Sequence, residues 1–70
     1  MVIHRVVNYY NEKFYYEFTR DYPYFLNKDD IISFPYTKND MTCSIRLHVV
    51  CNEYRILDEV VLIRVMDYND

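Results

Sequence analysis

Cys43-Ser44-Ile45-Arg46-Leu47-His48-Val49-Val50-Cys51 is the stretch on which the reading of the fold turns. Cys43, Ile45, Leu47, Val49 and Cys51 fall on one side of an extended chain, and Ser44, Arg46, His48 and Val50 on the other. An apolar residue at every second position is the pattern of a half-buried strand. Outward from it, Phe14, Tyr16 and Phe18 alternate with Tyr15, Glu17 and Thr19 and predict a second strand. Val2–Tyr10 and the short Ile31–Phe34 read as strands too, the latter ended by Pro35, which has no N–H for a ladder. Val60–Met66 is a near-continuous apolar run, and its β-branched residues Val60, Val61, Ile63 and Val65 favour strand over helix.

Asparagine stands at each predicted junction: Asn11, Asn27, Asn39 and Asn52. The chain of 70 residues contains no glycine, so Asn and Asp are left to take the left-handed conformations that turns need. Hairpin parity sharpens the expectation. An Asn52–Glu53 turn of two residues would pair Leu47 with Asp58. An odd loop or a bulge instead sets Leu47 opposite Val61, Ile45 opposite Ile63 and Cys43 opposite Val65, and is preferred because a one-residue slip exchanges the faces. In the first hairpin an Asn11–Glu12 turn pairs Val7 with Tyr16, Arg5 with Phe18 and Ile3 with Arg20.

One small domain, residues 1–70, is expected: all-β, a five-stranded antiparallel small barrel or highly coiled sheet of SH3-like or OB-like type. So short a chain buries a limited fraction of its surface. With 51% hydrophobic and 19% aromatic residues, large side chains are expected to supply the core, and the nine Tyr exceed what one small core can hide, so some are expected exposed. The stretch Leu26–Phe34 resembles the turn-into-strand of many bacterial small barrels. Asp29 stands where glycine is usual, and the likeness specifies no family.

Composition narrows the function. The net charge of −3 lacks the clustered Lys and Arg that hold a phosphate backbone. No apolar run reaches the ~18 residues of a membrane helix, and no signal segment is evident, so no membrane and a cytoplasmic location are expected. Absence of Gly and Ala fits AT-rich coding, which suggests a bacterial or phage source.

Catalytic constellations are thin. Cys43 and Cys51 lie ~26 Å apart along an unbroken strand, with His48 on the opposite face, so no metal ligands and two buried reduced thiols are expected. Ser44 and His48 share a face but stand ~13 Å apart, beyond hydrogen-bond reach. Asp29, Asp30, Asp58, Glu59, Asp67 and Asp70 read as turn and tail acids. No enzyme and no cofactor are expected.

Tyr22-Pro23-Tyr24-Phe25 is the most unusual local feature. It reads either as a lid over one end of a small core or as a recognition surface, since Tyr offers wide contact at low entropic cost. The leading expectation is a non-catalytic interaction module that binds a protein partner or self-associates through Tyr22, Tyr24, Phe25 and nearby Tyr36. Exposed aromatics and an uncovered edge strand support self-association. The alternative is a single-stranded nucleic-acid binder that uses Tyr15, Arg46, His48 and Arg64. A phage or mobile-element accessory or inhibitor protein rests on size and composition alone.

Overall fold

The structure, a computed structural model, describes residues 1–67, without the side chains of residues 34, 36 and 38. Five strands follow in order: β1 (Val2–Asn8), β2 (Phe14–Arg20), β3 (Ile31–Lys38), β4 (Met41–Arg55) and β5 (Val60–Asp67). They form one sheet in the order β2-β1-β5-β4-β3 that curves into a half-barrel. The expected all-β, five-stranded coiled sheet is therefore present. One pairing departs from the expectation of antiparallel strands throughout: β1 and β5 run parallel, Ile3 opposite Val60 and Val6 opposite Ile63.

The inner face of the half-barrel carries the core. Val2 and Val6 from β1, Leu47 and Val49 from β4, and Val61, Ile63 and Val65 from β5 form one buried cluster. The fully buried side chains are thus aliphatic, apart from His4. Tyr15, Phe18 and Tyr54 pack against the cluster from its margin. The reason is geometric: the adjacent strands β1, β5 and β4 supply branched aliphatics that fill the hollow of a single curved sheet. 

Two bulges set the faces. One lies between Val49 and Cys51 of β4, where Val49 faces Val65 but Cys51 faces Arg64. The extra residue, Val50, inverts the parity of everything after it. Asn52 and Tyr54 therefore turn inward beside Ile63 and Val61, and Cys51 turns outward. This corrects three expectations. Cys51, expected buried, is an exposed free thiol; Cys43 is exposed as well, although it precedes the bulge. Asn52 lies inside β4, and the β4–β5 turn is Ile56–Glu59. Leu47 pairs with Asp67 in place of Val61, so the Ile45–Ile63 and Cys43–Val65 pairs are also replaced. The anticipated bulge is real, but its partners differ.

The second bulge, between Val6 and Val7, leaves Tyr15 as the extra residue of β2: Val6 faces Tyr16 and Val7 faces Phe14. The Val7–Tyr16 and Arg5–Phe18 register is corrected accordingly. Arg5 faces Glu17 and holds it at 2.9 Å on the outer face.

Pro35 does not end β3, which continues to Lys38. Asn39 and Asp40 make a turn of two residues, with φ of 52° and 62°, between the paired Lys38 and Met41. Positive φ at both positions is the hairpin turn whose twist matches the strands. Counting from that closing pair, position 35 directs its missing N–H away from β4 to the open sheet edge, where proline is tolerated. Asp29, with φ 72°, takes the left-handed conformation expected at its glycine-like position. Glu12 and Glu59 do so as well.

Candidate interaction surface

Strand order dictates how the aromatic segment is placed. β2 and β3 occupy opposite edges of the sheet, so the chain between them, residues 21–30, must cross from one edge to the other. Polar anchors on the inner face hold its backbone. The Tyr24 N–H donates to His4 Nε2 at 2.8 Å over β1. At β4 the Asn52 amide behaves as a peptide group would: its Oδ1 accepts the Leu26 N–H at 3.3 Å and its Nδ2 donates to the Leu26 carbonyl at 2.6 Å. Farther on, the Asp29 N–H donates to the Val49 carbonyl and the Val49 N–H to that of Asp30, each at 2.8 Å. Leu26 packs against the core.

His4 is the central anchor. Its ring is fully buried and stacks on Phe18 at 4.7 Å, with planes 7° apart. The Arg20 guanidinium lies 5.2 Å from the centre of the Phe18 ring. Because Nε2 accepts a hydrogen bond, the proton of the neutral ring resides on Nδ1. Burial pushes the pKa of His4 below its ordinary value; the nearby Val2 and Phe18 carbonyls oppose the shift, and Arg20 adds to it.

The rings of the crossing segment point the other way. Tyr22 is 60% exposed, Tyr24 45% and Phe25 51%. Phe25 meets Tyr54 edge-on at 6.0 Å. The segment is a lid by its backbone and by Leu26, while its aromatics face water.

Further apolar groups gather at this end. Arg20 is opposite Val2, Ile3 opposite Val60, and Val60 opposite Arg55. Met1, Tyr22 and the Ile56–Glu59 turn therefore all leave the sheet at one end. Ile56 is 69% exposed and Leu57 99%. Sequence reasoning missed Ile56 and Leu57 because it placed the turn at Asn52. Tyr36, by contrast, is paired with Cys43 on the β3–β4 hairpin. That is about 36 Å along β4 from Tyr54, so the expected nearness to Tyr22–Phe25 is corrected. The Tyr36 side chain lies outside the described residues.

The outer face carries a different chemistry. Arg64 sits opposite Cys51, not near Ser44 as expected. Its guanidinium meets Glu53 at 3.0 Å and Glu12 at 3.6 Å, and Arg55 meets Glu53 at 2.7 Å. Bonds from Arg55 first, then Arg64, hold the Glu53 carboxyl below the ordinary carboxylate range. A shallow groove of about 510 Å³ beside this network is lined by Arg5, Glu17, Arg55, Phe14 and Leu62 among others. Arg46 and His48 lie farther along β4, and the Tyr15 hydroxyl accepts from Asn8 Nδ2 at 3.2 Å. Arg46, His48, Arg64 and Tyr15 are therefore not gathered into one basic, aromatic patch.

Among the described residues no group of three His, Cys, Asp or Glu is placed to hold a metal ion, and no helix is long and apolar enough to cross a membrane. No family model matches the chain, and no curated protein or solved structure matches it at a significant level.

Proposed function

We propose that this chain is a non-catalytic interaction module that binds a protein partner through the apolar end of the half-barrel. The observation that carries the reading is the contrast within residues 21–30. The backbone is fixed by His4 and Asn52, while Tyr22, Tyr24 and Phe25 remain exposed. A rigid base reduces the entropy lost when exposed rings are ordered against a partner. Ile56 and Leu57 are exposed at the same end of the sheet, and apolar exposure gathered in this way marks interaction sites. Support for nucleic-acid binding is thinner, because Arg64 is already engaged by Glu12 and Glu53.

Affinity capture from the source cell with immobilised wild type, Leu57→Asp and the Tyr24→Ala, Phe25→Ala pair tests this. Leu57 is 99% exposed, so Leu57→Asp leaves the fold intact. A partner retained by wild type and lost by both variants, with unchanged circular dichroism, is the expected result. An identical captured set for all three proteins overturns the reading. Binding of a labelled oligonucleotide at low salt, weakened by added salt, would favour the nucleic-acid reading instead.

A further inference from the structure

The β1–β2 hairpin is a separate unit within the sheet. Among the described strands only β5 lies against it, through the parallel seam with β1. The chain between β2 and β3 is its covalent tie to β3, β4 and β5, and that tie must reverse within three residues. β2 ends at Arg20, yet Tyr24 is already back over His4, the partner of Phe18. The backbone bends at Asp21 and Tyr22, and position 23 is proline. Proline biases the residue before it toward extended backbone, so Tyr22 resists the bend. No glycine is present to ease it. From Leu26 onward the chain is bound to the other half: Asn52 holds Leu26, and Val49 holds Asp29 and Asp30. A hinge at residues 21–23 thus divides residues 2–20 from residues 24–67.

We propose that the partner of the apolar end is a second copy of the chain, and that the two copies exchange their β1–β2 hairpins through this hinge. The inference rests on the interaction-module reading and names the occupant of its surface. Straightening residues 21–23 carries each hairpin onto β5 of the other copy. The β1–β5 pairing and the bond from the Tyr24 N–H to His4 are then remade between copies, so exchange sacrifices no native pairing. The four steps from Arg20 to Tyr24 reach at most about 14 Å, so the two halves stay close at the end where the hinge leaves the sheet. That end also carries Met1 and the Ile56–Glu59 turn. Exposed Ile56 and Leu57 of one copy are thereby set toward those of the other. Their burial is what exchange adds to the contacts the single chain already makes.

Facing positions on the seam distinguish exchange from simple contact. Arg5 lies opposite Leu62 on the outer face, at the spacing of neighbouring strands, which a disulfide spans. Arg5→Cys with Leu62→Cys is made in the full chain carrying Cys43→Ser and Cys51→Ser, and is oxidised with diamide. Exchange gives a doubled mass in sedimentation and a covalent dimer on a denaturing, non-reducing gel. Ile3→Cys with Val60→Cys, the next pair along the seam, gives the same readout should the first pair disturb the fold. Inserting Gly-Ser-Gly-Ser between Asp21 and Tyr22 eases the reversal and should halve the mass. A monomer at every concentration, a dimer whose crosslinks stay within each chain, or a dimer unchanged by the insertion overturns the inference. Capture from the source cell separates it from the broader reading. Exchange makes the captured protein the chain itself. A different protein, retained by a monomeric wild type and lost by Leu57→Asp, overturns exchange and leaves the interaction module standing.

Discussion

His4 has no contact with solvent, and its Nε2 accepts the Tyr24 N–H at 2.8 Å. Replacing it with Phe retains a ring that can stack on Phe18 but removes the acceptor. A buried donor left unsatisfied costs about 1–3 kcal/mol, out of a total of roughly 4–10 kcal/mol for a domain of this size. The same variant isolates a pH effect. Protonation would place an Nε2–H against the Tyr24 N–H, and burial already holds the folded-state pKa below 6.5. The unfolded chain therefore takes up the proton first as pH falls. The His4 contribution is complete above pH 6.5, declines as pH drops toward the folded-state pKa, and levels off below it. Within that window each pH unit costs at most about 1.4 kcal/mol. Urea melts by circular dichroism at about pH 7.5 and about pH 5.5 should show the gap between wild type and His4→Phe narrowing at the lower pH. Equal pH dependence in the two proteins would refute the argument.

Three further outcomes follow from the packing. Leu47→Ala empties a fully buried site and should cost about 2–5 kcal/mol, enough to unfold much of the population, as thermal melts would show. Asn52→Ala removes both bonds to Leu26; amide hydrogen exchange at Leu26 should quicken well before exchange in β5 does. Glu59→Gly relieves a left-handed residue, φ 54°, whose strain of about 1–2 kcal/mol exceeds the added entropy of glycine, so its urea midpoint should rise by the equivalent of about 0.5 kcal/mol.

Much of the sheet was legible because branched and aromatic residues alternate in it. Three of the four asparagine junctions hold: Asn11 caps its turn by accepting the Lys13 N–H, Asn27 accepts from Asp30, and Asn39 takes positive φ. The fourth fails through Val50. One unpaired residue inverts parity, so Asn52 turns inward to hold Leu26 and the chain runs on to a turn made of Ile56, Leu57, Asp58 and Glu59. That turn has two large apolar residues and a glutamate in the left-handed region, the opposite of turn composition. The parallel β1–β5 pair had a signal that went unused: Val2–Val7 and Val60–Met66 are both apolar-rich runs, as central strands are. Tyr22–Phe25 was legible as an aromatic cluster around a proline. Which side of it faced water depended on His4 and Asn52, residues remote in sequence that no local pattern connects to it.

The seam between β1 and β5 joins the beginning of the described chain to its far end. During synthesis β1 and β2 can close as a hairpin, but Val6 and His4 gain their strand partners Ile63 and Val61 only after β5 has been made. Contacts so distant along the chain must meet the cost of closing a long loop before they return any stability, which slows folding. The centre of the sheet thus stays open, with β1 waiting on β5, until the seam between them can close.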